Sequence, residues 1–192
     1  ETTPQTFIDG KRIGGYTELR EHFGHDSGDA EGTSYRPVIA VFAVGAALAI
    51  ALSLFVFQLP FTIRTAEWFV AFSMAMLAML KLQDVEQFST MFVGYDLLGR
   101  KWVPYAYAYP YLEATAAILM VGRLLPWLSI PVALFIGAVG AISVFYAVYI
   151  QKRSIKCACV GGTANVPLGF VSLSENLAMI GMAIWMLLRP TL

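Results

Sequence analysis

From Pro37 to Gln58 the chain runs for 22 residues without one charged side chain. A helix needs about 20 mostly apolar residues to cross the hydrocarbon core of a bilayer, and this run meets that length. Four more apolar runs follow, at about 66–82, 105–122, 128–150 and 167–188. The implied fold is all-α and membrane-embedded, a bundle of about five transmembrane helices. The alternative is four spans, with the second run lying in the membrane interface. Composition agrees, with 58% hydrophobic residues, 14% charged residues and a mean hydropathy of +0.65. Thirteen basic and thirteen acidic residues cancel, so there is no electrostatic case for a nucleic-acid partner. The expected partner is the lipid bilayer.

Basic residues orient the spans. The arm and the second-to-third and fourth-to-fifth connections carry ten Lys and Arg residues, and the opposite side carries only Arg64, Arg123 and Arg189. The expectation is a multi-pass protein of a bacterial-type inner (plasma) membrane, with a cytoplasmic N-terminus and an outside C-terminus. The loop holding Cys157 and Cys159, the chain's two cysteines, then faces the cytoplasm.

Residues 1–35 are polar and carry no apolar leader. Gln5–Ile8 reads as a strand ending in an Asp9-Gly10 turn, with Lys11–Ile13 returning and a helix from Tyr16 to His22. A hairpin and one helix bury too little surface to fold alone. Residues 24–35 form a polar linker, and 36–192 form the bundle.

Thr3-Pro4-Gln5, Phe7-Ile8-Asp9-Gly10 and Ile13-Gly14-Gly15-Tyr16 resemble the C-terminal half of a glutaredoxin. The resemblance covers residues 1–23 and implies a partial thioredoxin-fold hairpin and helix. It also implies a glutathione site at Thr3, Pro4, Gly15 and Glu18. The front half of that fold, with its cysteine nucleophile, is expected upstream of Glu1; the alternative is that the arm is a relic. A second resemblance covers about residues 66–188. It rests on Lys81-Leu82-Gln83-Asp84 with Phe88, Tyr95-Asp96-Leu97-Leu98, Tyr109-Pro110-Tyr111-Leu112-Glu113 and Cys157-Ala158-Cys159-Val160-Gly161-Gly162. These segments resemble the MauE/DoxX group of small membrane proteins. That likeness implies disulfide handling during maturation of methylamine dehydrogenase, or quinone-linked sulfur oxidation. Both resemblances imply thiol redox, with glutathione or a quinone as cofactor and glutathione or a thiol protein as partner.

The residues allow the same chemistry. Lys152, Arg153 and Lys156 precede the cysteines, and positive charge favours the thiolate. A disulfide between residues two apart is tight and easily reduced. The same two sulfurs can grip a soft ion such as copper or mercury. Glu113 and Glu175 sit about nine and eight residues into their runs, roughly 12–14 Å below the surface. Acids at that depth are costly and are usually functional or paired. They read as a proton relay or polar lining with Lys81 and Asp84, or as bundle-locking contacts to serines such as Ser172 and Ser174. Tyr105, Tyr107, Tyr109 and Tyr111 read as interfacial anchors or as a quinone platform, and Met74, Met76 and Met79 as packing. Three function classes follow. The first is a membrane thiol–disulfide oxidoreductase or relay that links the arm to Cys157 and Cys159. The second is a soft-metal carrier on the same sulfurs, and the third is a non-catalytic accessory subunit of a larger membrane complex.

Overall fold

The computed structural model describes residues 6–8, 10–14, 22–23, 35–152 and 168–189. The chain divides into two units, Glu1–Thr33 and Ser34–Leu192. In the first unit, β1 (Thr6–Ile8) pairs antiparallel with β2 (Lys11–Gly14), setting Phe7 opposite Arg12 and Ile8 opposite Lys11. Gly10 makes the turn at φ +76°, a conformation that is cheap only without a Cβ.

The second unit is helical. Its elements are α1 (Arg36–Phe57), α2 (Ile63–Gln83), α3 (Val85–Val93), α4 (Val103–Gly122), α5 (Pro126–Phe145) and α6 (Phe170–Leu188). A π-helical turn at Tyr146–Ile150 continues α5. Among the described residues, four helices are long and apolar enough to cross a membrane: α1, α2, α5 with its π turn, and α6. The α4 helix is equally long, but Pro104, Pro110, Glu113 and four tyrosines make it less apolar. The second apolar run, α2, is among the four.

Local chemistry explains the joints. Ser53 near the end of α1 donates to the Leu59 carbonyl at 2.7 Å, and Thr65 of α2 donates to Ser53 at 2.7 Å. Thr62 and Thr65 cap α2 reciprocally, each side chain accepting from the other's amide. Asp84 Oδ1 accepts from the Gln87 amide at 2.8 Å, which starts α3 where the sequence reads as plain loop. Gln58 and Arg123 close α1 and α4 in the left-handed region.

Small residues set the packing. The α1 helix buries a single stripe, Val38, Gly45, Ala49 and Ser53, and rests chiefly on α2. A Cβ at Gly45 would lie 2.9 Å from Ser73 Oγ, so only glycine allows that approach. The α5 and α6 helices close through Gly137 and Gly140, against which Asn176, Met179 and Ile180 pack. The α2, α4, α5 and α6 helices therefore pack around a mainly apolar core that also holds buried charged groups, with α2 touching both α4 and α6.

Candidate functional site

Lys81 lies in the last turn of α2 and is 2% exposed. Its Nζ donates to Glu113 at 2.8 and 2.7 Å and to Glu175 Oε1 at 2.5 Å. Three helices thus contribute one charge each. Glu113 comes from α4, ten residues past Val103, and Glu175 comes from α6, five past Phe170, which is about 15 and 8 Å along their axes.

Desolvating charge is expensive, and a buried cluster is tolerated when its charges balance and its hydrogen bonds are made. Lys81, Glu113 and Glu175 thus bring three ionisable groups from three helices into one buried, hydrogen-bonded site.

A polar shell supports it. Tyr109, one turn before Glu113, places its ring 5.4 Å from Lys81 Nζ. Its hydroxyl donates to Asn176 Oδ1 at 3.3 Å, and Asn176 Nδ2 donates to the Ser172 carbonyl at 2.7 Å. Phe88 and Phe92 of α3 cover Tyr109 with ring centroids at 5.9 and 4.8 Å. The remaining cavity, about 10 Å³, has room for about one water molecule beside Lys81, Tyr109, Glu175 and Asn176.

The cluster faces a particular end of the bundle. Val148 packs against Gly169, so the described ends of the 153–167 connection meet at the end of α2 that carries Lys81. Cys157 and Cys159 belong to that connection and lie outside the described residues, as do Thr3, Pro4, Gly15 and Glu18 of the arm. Asp84 caps α3, and among the described residues it makes no hydrogen bond or ion pair with the cluster. Ser174 donates to the Val171 carbonyl, so Glu175 is held by Lys81 instead of by that serine. Tyr105 and Tyr109 are buried while Tyr107 and Tyr111 are exposed, so two of the four tyrosines face outward from the bundle. Met74 is buried and Met79 is 54% exposed.

Two buried acids escape a reading of the sequence. Glu67, at the start of α2, accepts from Arg64 Nη1 at 2.6 Å, from Trp185 Nε1 at 2.8 Å and from Arg123. It lies about 21 Å along α2 from Lys81. Its sequence signal is slight, since Glu67 stands at the margin of an apolar run. Asp96, in the connection before α4, is fully buried. Its Oδ1 accepts from the Gly99 amide at 2.7 Å and the Leu98 amide at 3.0 Å. Burial pushes its carboxyl above the ordinary aspartate range, against the Gly99 amide, the Ser143 hydroxyl and the Leu98 amide. Among the described residues its Oδ2 has no hydrogen-bond partner, and neither has the Tyr105 hydroxyl.

Residues 59–189, well over half of the chain and all of the bundle after α1, match the family model of the methylamine utilisation protein MauE. No curated protein and no solved structure matches. The match spans each helix that contributes to the buried charges, and the chain belongs to the MauE family.

Proposed function

We propose that this chain is a membrane thiol–disulfide relay in which Cys157 and Cys159 cycle between dithiol and disulfide, and the Lys81–Glu113–Glu175 cluster holds a proton in transit. One observation carries the reading: a buried cluster of one lysine and two carboxyl groups lies at the end of the bundle where the cysteine-bearing connection joins α5 to α6. In the exchange, one thiolate attacks a partner disulfide and releases a partner thiolate. The second cysteine, after losing its proton, attacks the mixed disulfide and frees the other partner thiolate. Two thiol protons end on two partner sulfurs, and a nearby buried acid–base cluster lends and recovers one of them.

Glutathione or a thiol protein is the exchange partner, and the glutaredoxin-like arm recruits glutathione through Thr3, Pro4, Gly15 and Glu18. A cavity of about 10 Å³ favours a proton over a quinone ring as the ligand of the cluster. The α4 helix serves as a fifth span, because its 20 residues extend about 30 Å and it packs against both α2 and α5. The arm and the cysteine connection lie in the cytoplasm, on the side with ten of the thirteen basic residues.

The test is a titration of the purified protein in glutathione buffers, with the cysteine pair followed by mass. The expected result is a reversible two-proton mass change, with Cys157→Ser or Cys159→Ser trapping a mixed disulfide with glutathione. Two thiols that stay reduced under strongly oxidising buffers, while one Cu(I) binds tightly, would establish the soft-metal carrier instead. Activity of the parent complex that is indifferent to loss of Cys157 would establish the accessory subunit.

A further inference from the structure

We infer that Asp96 is the residue through which protons enter and leave the Lys81–Glu113–Glu175 cluster. The inference rests on the proton-holding reading of that cluster and adds the route by which it communicates with water.

Asp96 has two oxygens with different circumstances. Oδ1 is used structurally, closing the turn through the Leu98 and Gly99 amides. That job explains one oxygen and leaves the second, Oδ2, buried without a hydrogen bond of ordinary geometry among the described residues, the Ser143 hydroxyl being the polar side chain that acts on the carboxyl. A buried polar atom without a partner costs about 1–3 kcal/mol, so a turn that needed only Oδ1 gains nothing from a fully buried carboxylate. The Tyr105 hydroxyl, 2% exposed, is in the same state and lies within electrostatic reach of Asp96. Two orphaned polar groups in one place mark a path that water or a proton visits.

The surroundings connect that place to the cluster on one side and to the surface on the other. Tyr95, the residue before Asp96, lines the water-sized cavity beside Lys81 and Glu175. Ser143 accepts from the Leu97 amide, and its neighbour Val144 lines the same cavity. Tyr105 meets Tyr109 edge to face at 6.0 Å, and Tyr109 donates to Asn176 beside Glu175. Outward, Leu97, Arg100 and Lys101 are exposed, so Asp96 sits one residue beneath the solvent face. The transfer is conservative. A hydronium gives its proton to Asp96 Oδ2, that O–H bond breaks as the proton passes to a water in the cavity lined by Tyr95, and that water gives up a proton as an O–H bond forms on Glu113 or Glu175; the order reverses on release.

The test is infrared spectroscopy of the purified full chain after mixing into deuterated water. The protonated carboxyl of the cluster is the C=O band that Glu113→Gln removes and Asp96→Asn leaves. In the wild type that band shifts quickly on mixing. In Asp96→Asn, which keeps an Oδ1 acceptor for the turn, the shift should slow at least tenfold, and added formic acid should restore it by carrying protons past the missing carboxyl. A wild-type rate in Asp96→Asn, or a slow rate that formic acid does not change, overturns the inference. If Asp96→Asn does not assemble, Tyr105→Phe keeps the ring contacts, removes only the hydroxyl, and is judged by its slowed shift. Absence of any such band in the wild type sinks the proton-holding reading itself, whereas a band that ignores Asp96 sinks only the route.

Discussion

Lys81 holds two buried carboxylates at 2.7 and 2.5 Å, and charge counting makes its two obvious substitutions unequal. Glu113→Gln leaves one ammonium and one carboxylate, a balanced pair with nearly unchanged shape. Its stability should stay within about 1 kcal/mol of wild type while thiol exchange is impaired. Lys81→Met strands two acids with no cation, and removing one partner of a buried pair costs about 3–5 kcal/mol. Thermal unfolding in detergent separates them, and equal losses would reduce the cluster to a packing contact. Asp96 adds a pH signature. Its folded carboxyl lies above the ordinary value of about 3.8, so across that window the folded state binds the proton more tightly than the unfolded state. Stability should therefore fall as pH rises through the raised value, and Asp96→Asn should flatten that slope in a melting series.

Among the elements, the α5–α6 contact governs the site's shape. A methyl group at Gly140 would press into the Asn176 side chain, which is already committed to Tyr109 and to the Ser172 carbonyl. Gly140→Ala should cost about 1–3 kcal/mol, the usual range for overpacking, and disturb the cluster with it. Gly181→Ala, on the same pair of helices but with open space around it, should be tolerated. Thermal melts of the two variants check the contrast. The helices were legible because long uncharged runs have few other solutions, and Lys81, Glu113 and Glu175 were legible because charge stands out in such runs. The α3 helix was not, since nine amphipathic residues between polar ones look like a loop. Asp96 in Tyr-Asp-Leu-Leu-Gly looks like an ordinary turn residue, and its burial comes from α5 and the tyrosines, far away in sequence. Arg64 is a local partner of Glu67, but the other two are 56 and 118 residues distant, pairings that no local pattern encodes.

At the scale of the whole molecule, the proposed five-span topology divides the basic residues ten to three between the two sides of the membrane. A membrane-impermeant maleimide applied outside intact cells should accordingly leave Cys157 and Cys159 unlabelled. Ready labelling would reverse the orientation. A separate consequence follows from the two charged nodes of α2. Near one end Glu67 is tied to Trp185 of α6 and to Arg123 after α4, and near the other Lys81 is tied to Glu175 of α6 and to Glu113 of α4. Such a helix behaves as a strut pinned at both ends. Sliding it by one turn, about 5.4 Å, would part both sets of pins together. Piston motion is therefore closed to this bundle as a means of signalling between its two faces. What can change cheaply at the site is where a proton sits, and the helices stay in register while it moves.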